Sequence, residues 1–343
     1  MPSRYSDGKT AMGKKFYAIT ANTFLETIRQ PIFGILMWVA AFWMAVFGPT
    51  LSSFTLESGG DTKMLVDNCL ATMLLYGLLA SVFSATGVIT REIESSTVLT
   101  VVSKPVNRPV FFLGKYVGVI LALLIAYYFL SLVFVMTVRH GVMERASDKW
   151  DQPVLVLGSA ALGLSLLAAL FCNYVYNWNF SVTLTAWIVP LATIALGVVL
   201  FYDKQWNPQN PLTYFGYKES IPPESLLYAM TLVFLAVAIL TAFAVAFSTR
   251  FSQVVTLVLC AGVFMLGLLS DYYFGGAEAQ ETLLGRVAYR VTPNFQFFWL
   301  GDAITQQLQI SAVHCRRVAM YAALYIAGIL CFGSALFQTR EVG

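Results

Sequence analysis

Residues Ser3 to Thr10 read SRYSDGKT and end in the Gly-Lys-Thr triplet of a nucleotide-binding P-loop. A working P-loop opens with a glycine and follows an apolar strand, so that backbone N–H groups point at a phosphate. Ser3 stands where that glycine belongs, and no apolar strand precedes it. A polar terminus explains the segment, and the chain is expected not to hydrolyse ATP by itself. The two histidines, His140 and His314, are far apart and lack Cys, Asp or Glu neighbours at ligand spacing, so no metal site is expected. The five cysteines form no CxxC pair, and four lie inside apolar runs. They are expected to be small packing residues.

Residues 90–110 form the longest polar interruption of the first half, and the stretch 90–118 carries its informative pattern. Arg91, Glu92 and Glu94 precede Ser95-Ser96-Thr97, followed by an apolar run, Lys104-Pro105-Val106-Asn107-Arg108 and Phe111-Phe112-Leu113-Gly114-Lys115. Proline at 105 and 109 stops a continuous helix, so a short charged helix must end there and another begin. Such a helix can dock into a groove on a partner; an ordinary solvated loop has the same composition. A helix starting near Arg91 would put Glu92 and Glu94 at the positive end of its dipole.

These residues must be positioned by elements that lie in lipid. Of 343 residues, 58% are hydrophobic and 11% charged, against about 25% charged in soluble domains. The 21 Lys+Arg and 18 Asp+Glu are too few to coat a soluble globule of this size. Charge-free runs of about 20 residues match a bilayer core, and 17 Tyr, seven Trp and 26 Phe suit aromatic belts at the headgroups. A net charge of +3 gives no argument for nucleic acid. The chain reads as an all-α polytopic membrane protein.

The polar, basic start and the long first apolar run predict no cleaved signal. Within 1–30, Phe16, Ile19, Phe24 and Ile28 recur at helical spacing among Lys15, Asn22, Glu26 and Arg29, which predicts an amphipathic helix on the cytoplasmic surface. The transmembrane region follows over 31–338, with eight spans at about 31–54, 65–89, 111–138, 154–172, 180–202, 226–247, 254–274 and 318–337, and a tail at 339–343. A six-span count would make the hairpin 154–202 re-entrant or peripheral. Basic residues in the loops nearly balance across the two sides. The first span decides the orientation, with Arg4, Lys9, Lys14, Lys15 and Arg29 on one flank against Lys63 on the other. Both termini are therefore expected in the cytoplasm. Asp67, Lys115, Glu224 and Asp271 fall near span ends, where they can snorkel or meet water. The span centres lack the carboxylate or His/Asp pair that a proton-coupled carrier or membrane hydrolase needs.

Arg91–Thr97, Ser103–Arg108 and Phe112–Gly118 together resemble the segment between the second and third spans of type-2 ABC transporter permeases. Those are membrane subunits of exporters whose ATPase is a separate chain. Thr23–Gln30 is similar to the family's entry helix, and Thr292-Pro293-Asn294-Phe295-Gln296 to its outer segment before the last span. The layout matches over nearly the whole chain, while the specific residues number about thirty. Ser96 stands where the family often has glycine, and the hairpin 154–202 is additional to its six-span core.

The resemblance implies a permease subunit in the cell (inner) membrane, paired with a second copy or homologue and with two ABC ATPase subunits. Arg91, Glu92, Glu94, Thr97, Lys104 and Arg108 would transmit closure of the ATPases, with Arg91 also anchoring the coupling helix at the lipid interface. Glu26 and Arg29 would place the entry helix beside the same partner. The chain itself would be non-catalytic and bind no cofactor, with ATP and Mg held by the ATPase. Two rivals stand beside this reading. One is a membrane-embedded enzyme acting on a lipid, with Asp302 and His314 as its candidate groups; the other is a non-transporting scaffold on the same fold.

Overall fold

The computed structural model of the chain describes residues 3–54, 60–94, 108–143, 149–211, 223–276, 281–305 and 310–338. Every regular element among them is helical. In order they are α1 (Ser3–Arg29), α2 (Pro31–Ser52), α3 (Gly60–Glu94), α4 (Arg108–His140), α5 (Gln152–Tyr176), α6 (Phe180–Val199) and α7 (Pro223–Ser248), then α8 (Gln253–Leu268), α9 (Ser270–Phe274), α10 (Leu283–Val291), α11 (Gly301–Thr305) and α12 (Ala312–Gln338).

Seven of these, α2 to α7 and α12, are long and apolar enough to cross a membrane. The span expected at 254–274 is the one that differs. Its helix α8 stops at Leu268 after 16 residues, a rise of about 24 Å against a hydrocarbon core of about 30 Å. The stop has a cause distant in sequence. The Phe295 amide donates to the Gly267 carbonyl at 3.1 Å and Gln296 Nε2 to the Leu268 carbonyl at 2.8 Å. Residues 295–296 thus satisfy carbonyls that a further helical turn would otherwise have to satisfy.

Inside α2, Trp43–Phe47 forms a π turn in which the Gly48 amide bonds the Trp43 carbonyl. Pro49 has no N–H to continue the regular ladder, so the wider turn takes up the register change. The hairpin joint is shorter than the seven-residue turn expected from NYVYNWN, because α5 continues to Tyr176 and only 177–179 connect the helices. Asn177 takes the left-handed conformation (φ 54°) that ends α5, and the Asn179 side chain caps α6 by accepting from the Val182 amide.

Helices α3 and α7 are the most enclosed, with α4 against both. Because lipid is as apolar as a leucine side chain, close packing rather than water exclusion holds such helices together. Gly77 of α3 lies directly against Val237 of α7 and the Tyr127 hydroxyl of α4. Tyr127 donates to the Met73 carbonyl and Tyr116 to that of Ala238, at 3.3 Å for the latter, so both buried phenols are satisfied on neighbouring helices.

Helix α1 packs on the first three turns of α4 through a stripe that only partly coincides with the apolar one. Thr20, Thr23, Thr27 and Ile28 are buried, whereas Phe16, Ile19 and Phe24 are half-buried and Tyr17 is 75% exposed. Thr20 and Thr23 meet Gly118, and the Ile19 side chain meets Gly114 one helical turn earlier, so the missing Cβ atoms let the two helices approach closely. A Cβ added at Gly118 would lie 2.6 Å from Thr23 Cβ and 2.8 Å from the Thr20 carbonyl oxygen. Gly118→Val is therefore expected to push α1 off α4 at a cost of about 1–3 kcal/mol. Limited proteolysis at Lys14 and Lys15 should accelerate in that variant and stay unchanged in Gly197→Val, where no neighbour lies within 4 Å of an added Cβ.

Candidate functional site

Of the residues singled out for coupling, Arg91, Glu92, Glu94 and Arg108 lie in helix ends beside α1. Arg91, Glu92 and Glu94 form the last turn of α3, which runs unbroken past the expected span end at 89. They do not open a separate helix. The two glutamates consequently sit at the negative end of a helix dipole, opposite to the arrangement expected from the sequence. Arg108 opens α4 with Pro109 behind it, where a missing N–H is harmless. The side chains of these four residues, and Thr97 and Lys104 altogether, lie outside the described residues.

Side-chain packing ties these helix ends to α1. The Gln30 side chain lies against Gly87, one turn before Arg91, and the Ile19 side chain against Gly114. Glu26 is half-buried, with Oε2 at 4.0 Å from Lys115 Nζ. Lys115 is only 2% exposed, and its ammonium lies 5.4 Å from the centre of the Phe111 ring. It does not snorkel to water as its place near a span end suggests: α1 covers it and supplies the carboxylate. Arg29 is exposed and lines a groove with the 177–179 turn. Gly333 near the end of α12 lies against Phe112 and Ala246, so the last turns of α7 and α12 share this end of the molecule.

At the opposite end, a second polar centre holds the hairpin. Arg139 in the last turn of α4 and Asp151 ahead of α5 are both buried, joined by Arg139 Nε to Asp151 Oδ2 at 2.9 Å. Arg139 also donates to the carbonyls of Val199 and Tyr202, while Asp151 Oδ1 caps α5 by accepting from the Val154 amide at 3.1 Å. Lys204 closes the arrangement, with Nζ on the His140 carbonyl at 3.1 Å and its own carbonyl accepting from the Gln152 amide at 3.1 Å.

Comparison with protein-family models, curated proteins and solved structures returns no match. The chemistry available must therefore be judged from the side chains. Among the described residues no three His, Cys, Asp or Glu converge to hold a metal ion. The side chain of Asp302 lies outside the described residues and His314 is exposed at the start of α12. Outside the seven long helices, the Tyr289 hydroxyl donates to Asp271 Oδ1 at 2.8 Å. That bond raises the Tyr289 phenol above its usual range, because losing the proton would set a phenolate against the carboxylate. Asp271 stands on the short helix α9 rather than at the end of a long span.

Three features escaped the sequence reading. The Gly114-Lys-Tyr-Val-Gly118 run carries the small-xxx-small spacing that announces close helix contact. Asp151 followed by Gln152-Pro153 carries a helix-start signature. The burial of Lys115 has no local signal, since it depends on where α1 lies.

Proposed function

We propose that the chain is the membrane subunit of an ATP-driven exporter, and that a separate ABC ATPase docks at the end shared by α1, the last turn of α3 and the first turn of α4. The resemblance of the Arg91–Gly118 segment to type-2 ABC permeases carries the proposal. Its support in the fold is the contact of that segment's two glycines with α1, beside the Gln30–Gly87 contact. Arg91, Glu92, Glu94, Thr97, Lys104 and Arg108 are the coupling residues, with α1 lying along the cytoplasmic surface as entry helix. An ATPase that fits one arrangement of this end better than another shifts the permease between them by that difference alone. Purification of the tagged chain in mild detergent is expected to bring down a chain with a complete P-loop, and ATP hydrolysis with it. The chain stripped of that partner should hydrolyse no ATP, and Lys9→Ala should change neither result. Recovery of an assembly without an ATPase would remove the proposal.

We count α8 together with α9 as an eighth crossing, which leaves both termini at the docking end and, by the basic bias around the first span, in the cytoplasm. The hairpin α5–α6 then adds to a six-span core, and a second copy or homologue completes the pathway. A single cysteine at Asn207, exposed at the far end of the hairpin, should react with a membrane-impermeant maleimide from outside intact cells. Labelling only after the cells are opened would reverse the orientation.

A further inference from the structure

The groove beside Arg29 has a composition that the coupling proposal does not use. It has a volume of about 480 Å³ and is lined by Arg29, Asn177, Trp178, Asn179, Val182 and Thr183. Its walls come from two distant parts of the chain, the last turn of α1 and the α5–α6 turn. Next to it Ser181 Oγ donates to the Ile28 carbonyl at 3.3 Å, and Gly34 of α2 lies against Ser181.

Its charged lining is the Arg29 guanidinium alone, beside the Asn177 and Asn179 amides and the Thr183 hydroxyl, which donates to the Asn179 carbonyl. Asn179 spends its carbonyl oxygen on the Val182 amide at 3.2 Å, which leaves the side-chain NH₂ to donate. Asn177 supplies another amide, and the lining contains no carboxylate. Arg29 makes no hydrogen bond or ion pair among the described residues. Glu26, one turn back and within reach for a helical pair, lies against Lys115 instead. A guanidinium with two amides and no acid is a set that favours a phosphate oxygen over a cation or a neutral group.

The depth of the groove indicates which phosphate. Tyr174 is 90% exposed, and Tyr176 and Trp178 are also exposed on the same turn, with their rings 5.6 Å apart. Exposed Tyr and Trp at the end of a membrane helix sit at headgroup level. Basic pockets between helices at that level hold lipid headgroups.

We propose that this groove binds the headgroup of an anionic phospholipid, with Arg29 on the phosphate and Asn177 and Asn179 donating beside it. The lipid then bridges α1 and the hairpin beside their direct contact at Ile28 and Ser181. This inference does not depend on the ATPase proposal.

Native mass spectrometry of the full chain in mild detergent tests it, with dioleoyl-phosphatidylglycerol as the probe and dioleoyl-phosphatidylcholine as the neutral comparison. The parent should bind phosphatidylglycerol in preference. Arg29→Gln should weaken that binding roughly tenfold, as expected for losing a charged hydrogen-bond donor. Asn177→Gly, which keeps the left-handed turn, should weaken it by a smaller factor. Arg286→Gln, exposed on α10, removes the same charge elsewhere and should leave binding unchanged. Equal binding by the parent and Arg29→Gln, or equal losses in Arg29→Gln and Arg286→Gln, would overturn the site. Displacement of phosphatidylglycerol by excess inorganic phosphate would overturn the lipid assignment in favour of free phosphate. Arg29 is exposed, so its replacement should not unfold the chain; if it does, the Asn177→Gly result decides, with unchanged binding counting against the site.

Discussion

Asp151→Asn is expected to lower the thermal midpoint of the purified protein by about 4–7 °C, through the loss of about 3–5 kcal/mol. The figure follows from what remains after the substitution. Arg139 and Asp151 have side chains 2% and 0% exposed, so removing the carboxylate strands a guanidinium among carbonyls that cannot neutralise it. The amide of asparagine can still accept from Val154 and keep most of the α5 cap, which separates the charge effect from the capping effect. Asp151→Ala removes both and should cost about 1 kcal/mol more. Differential scanning fluorimetry in detergent measures the series. A midpoint within about 1 °C of the parent for both variants, less than 1 kcal/mol for a chain this long, would show that the pair is solvated.

The consequence extends beyond stability. Arg139 belongs to α4, Asp151 precedes α5, and Val199 and Tyr202 follow from α6, so one side chain fastens three helices. At the other end of the hairpin Ser181 donates to the Ile28 carbonyl and packs on Gly34, while Thr183, Leu184, Thr185 and Ile188 are buried in the first turns of α6. The hairpin is thus held to the core at both ends, by a buried ion pair at the far one and by side-chain packing near α1.

How much of this was legible in the sequence depends on the reach of each signal. Apolar runs fix most membrane helices because their length answers to bilayer thickness, a property each segment carries alone. The run at 254–274 has the same appearance, yet its helix ends at Leu268 because Phe295 and Gln296 arrive from elsewhere in the chain to take its carbonyls. Helix α1 was legible as a helix, and its buried stripe only in part. The periodicity favoured Phe16, Ile19, Phe24 and Ile28, of which Ile28 is buried and Ile19 meets Gly114, while the notch at Gly118 explains why Thr20 and Thr23 also face inward. Lys115 follows the same rule. Its neighbours in sequence put it near water, and α1 removes it from water. The setting of Glu92 and Glu94 was not legible either: α3 continues through them to Glu94, where the proline spacing points to the start of a separate helix.

That setting sharpens the test of the coupling proposal. Glu92 and Glu94 in the final turn of α3 oppose the helix dipole, a penalty of about 0.3–1 kcal/mol for each exposed carboxylate. Glu92→Lys together with Glu94→Lys should relieve it, so the isolated chain should express and fold at least as well as the parent. For solvated charges the story ends there, because exposed substitutions change stability by only about half a kcal/mol. A docked ATPase that pairs basic groups with these carboxylates would instead face like charges, at a cost of about 3–5 kcal/mol when the pair is buried. That is roughly a hundredfold or more in affinity. The double variant is therefore expected to lose co-purification with the ATPase, or the hydrolysis that accompanies transport, while its thermal midpoint holds or rises. The opposite movement of the two readouts is what distinguishes a coupling surface from a damaged fold. If the variant assembles and transports like the parent, the carboxylates are ordinary surface charges and the docking end lies elsewhere.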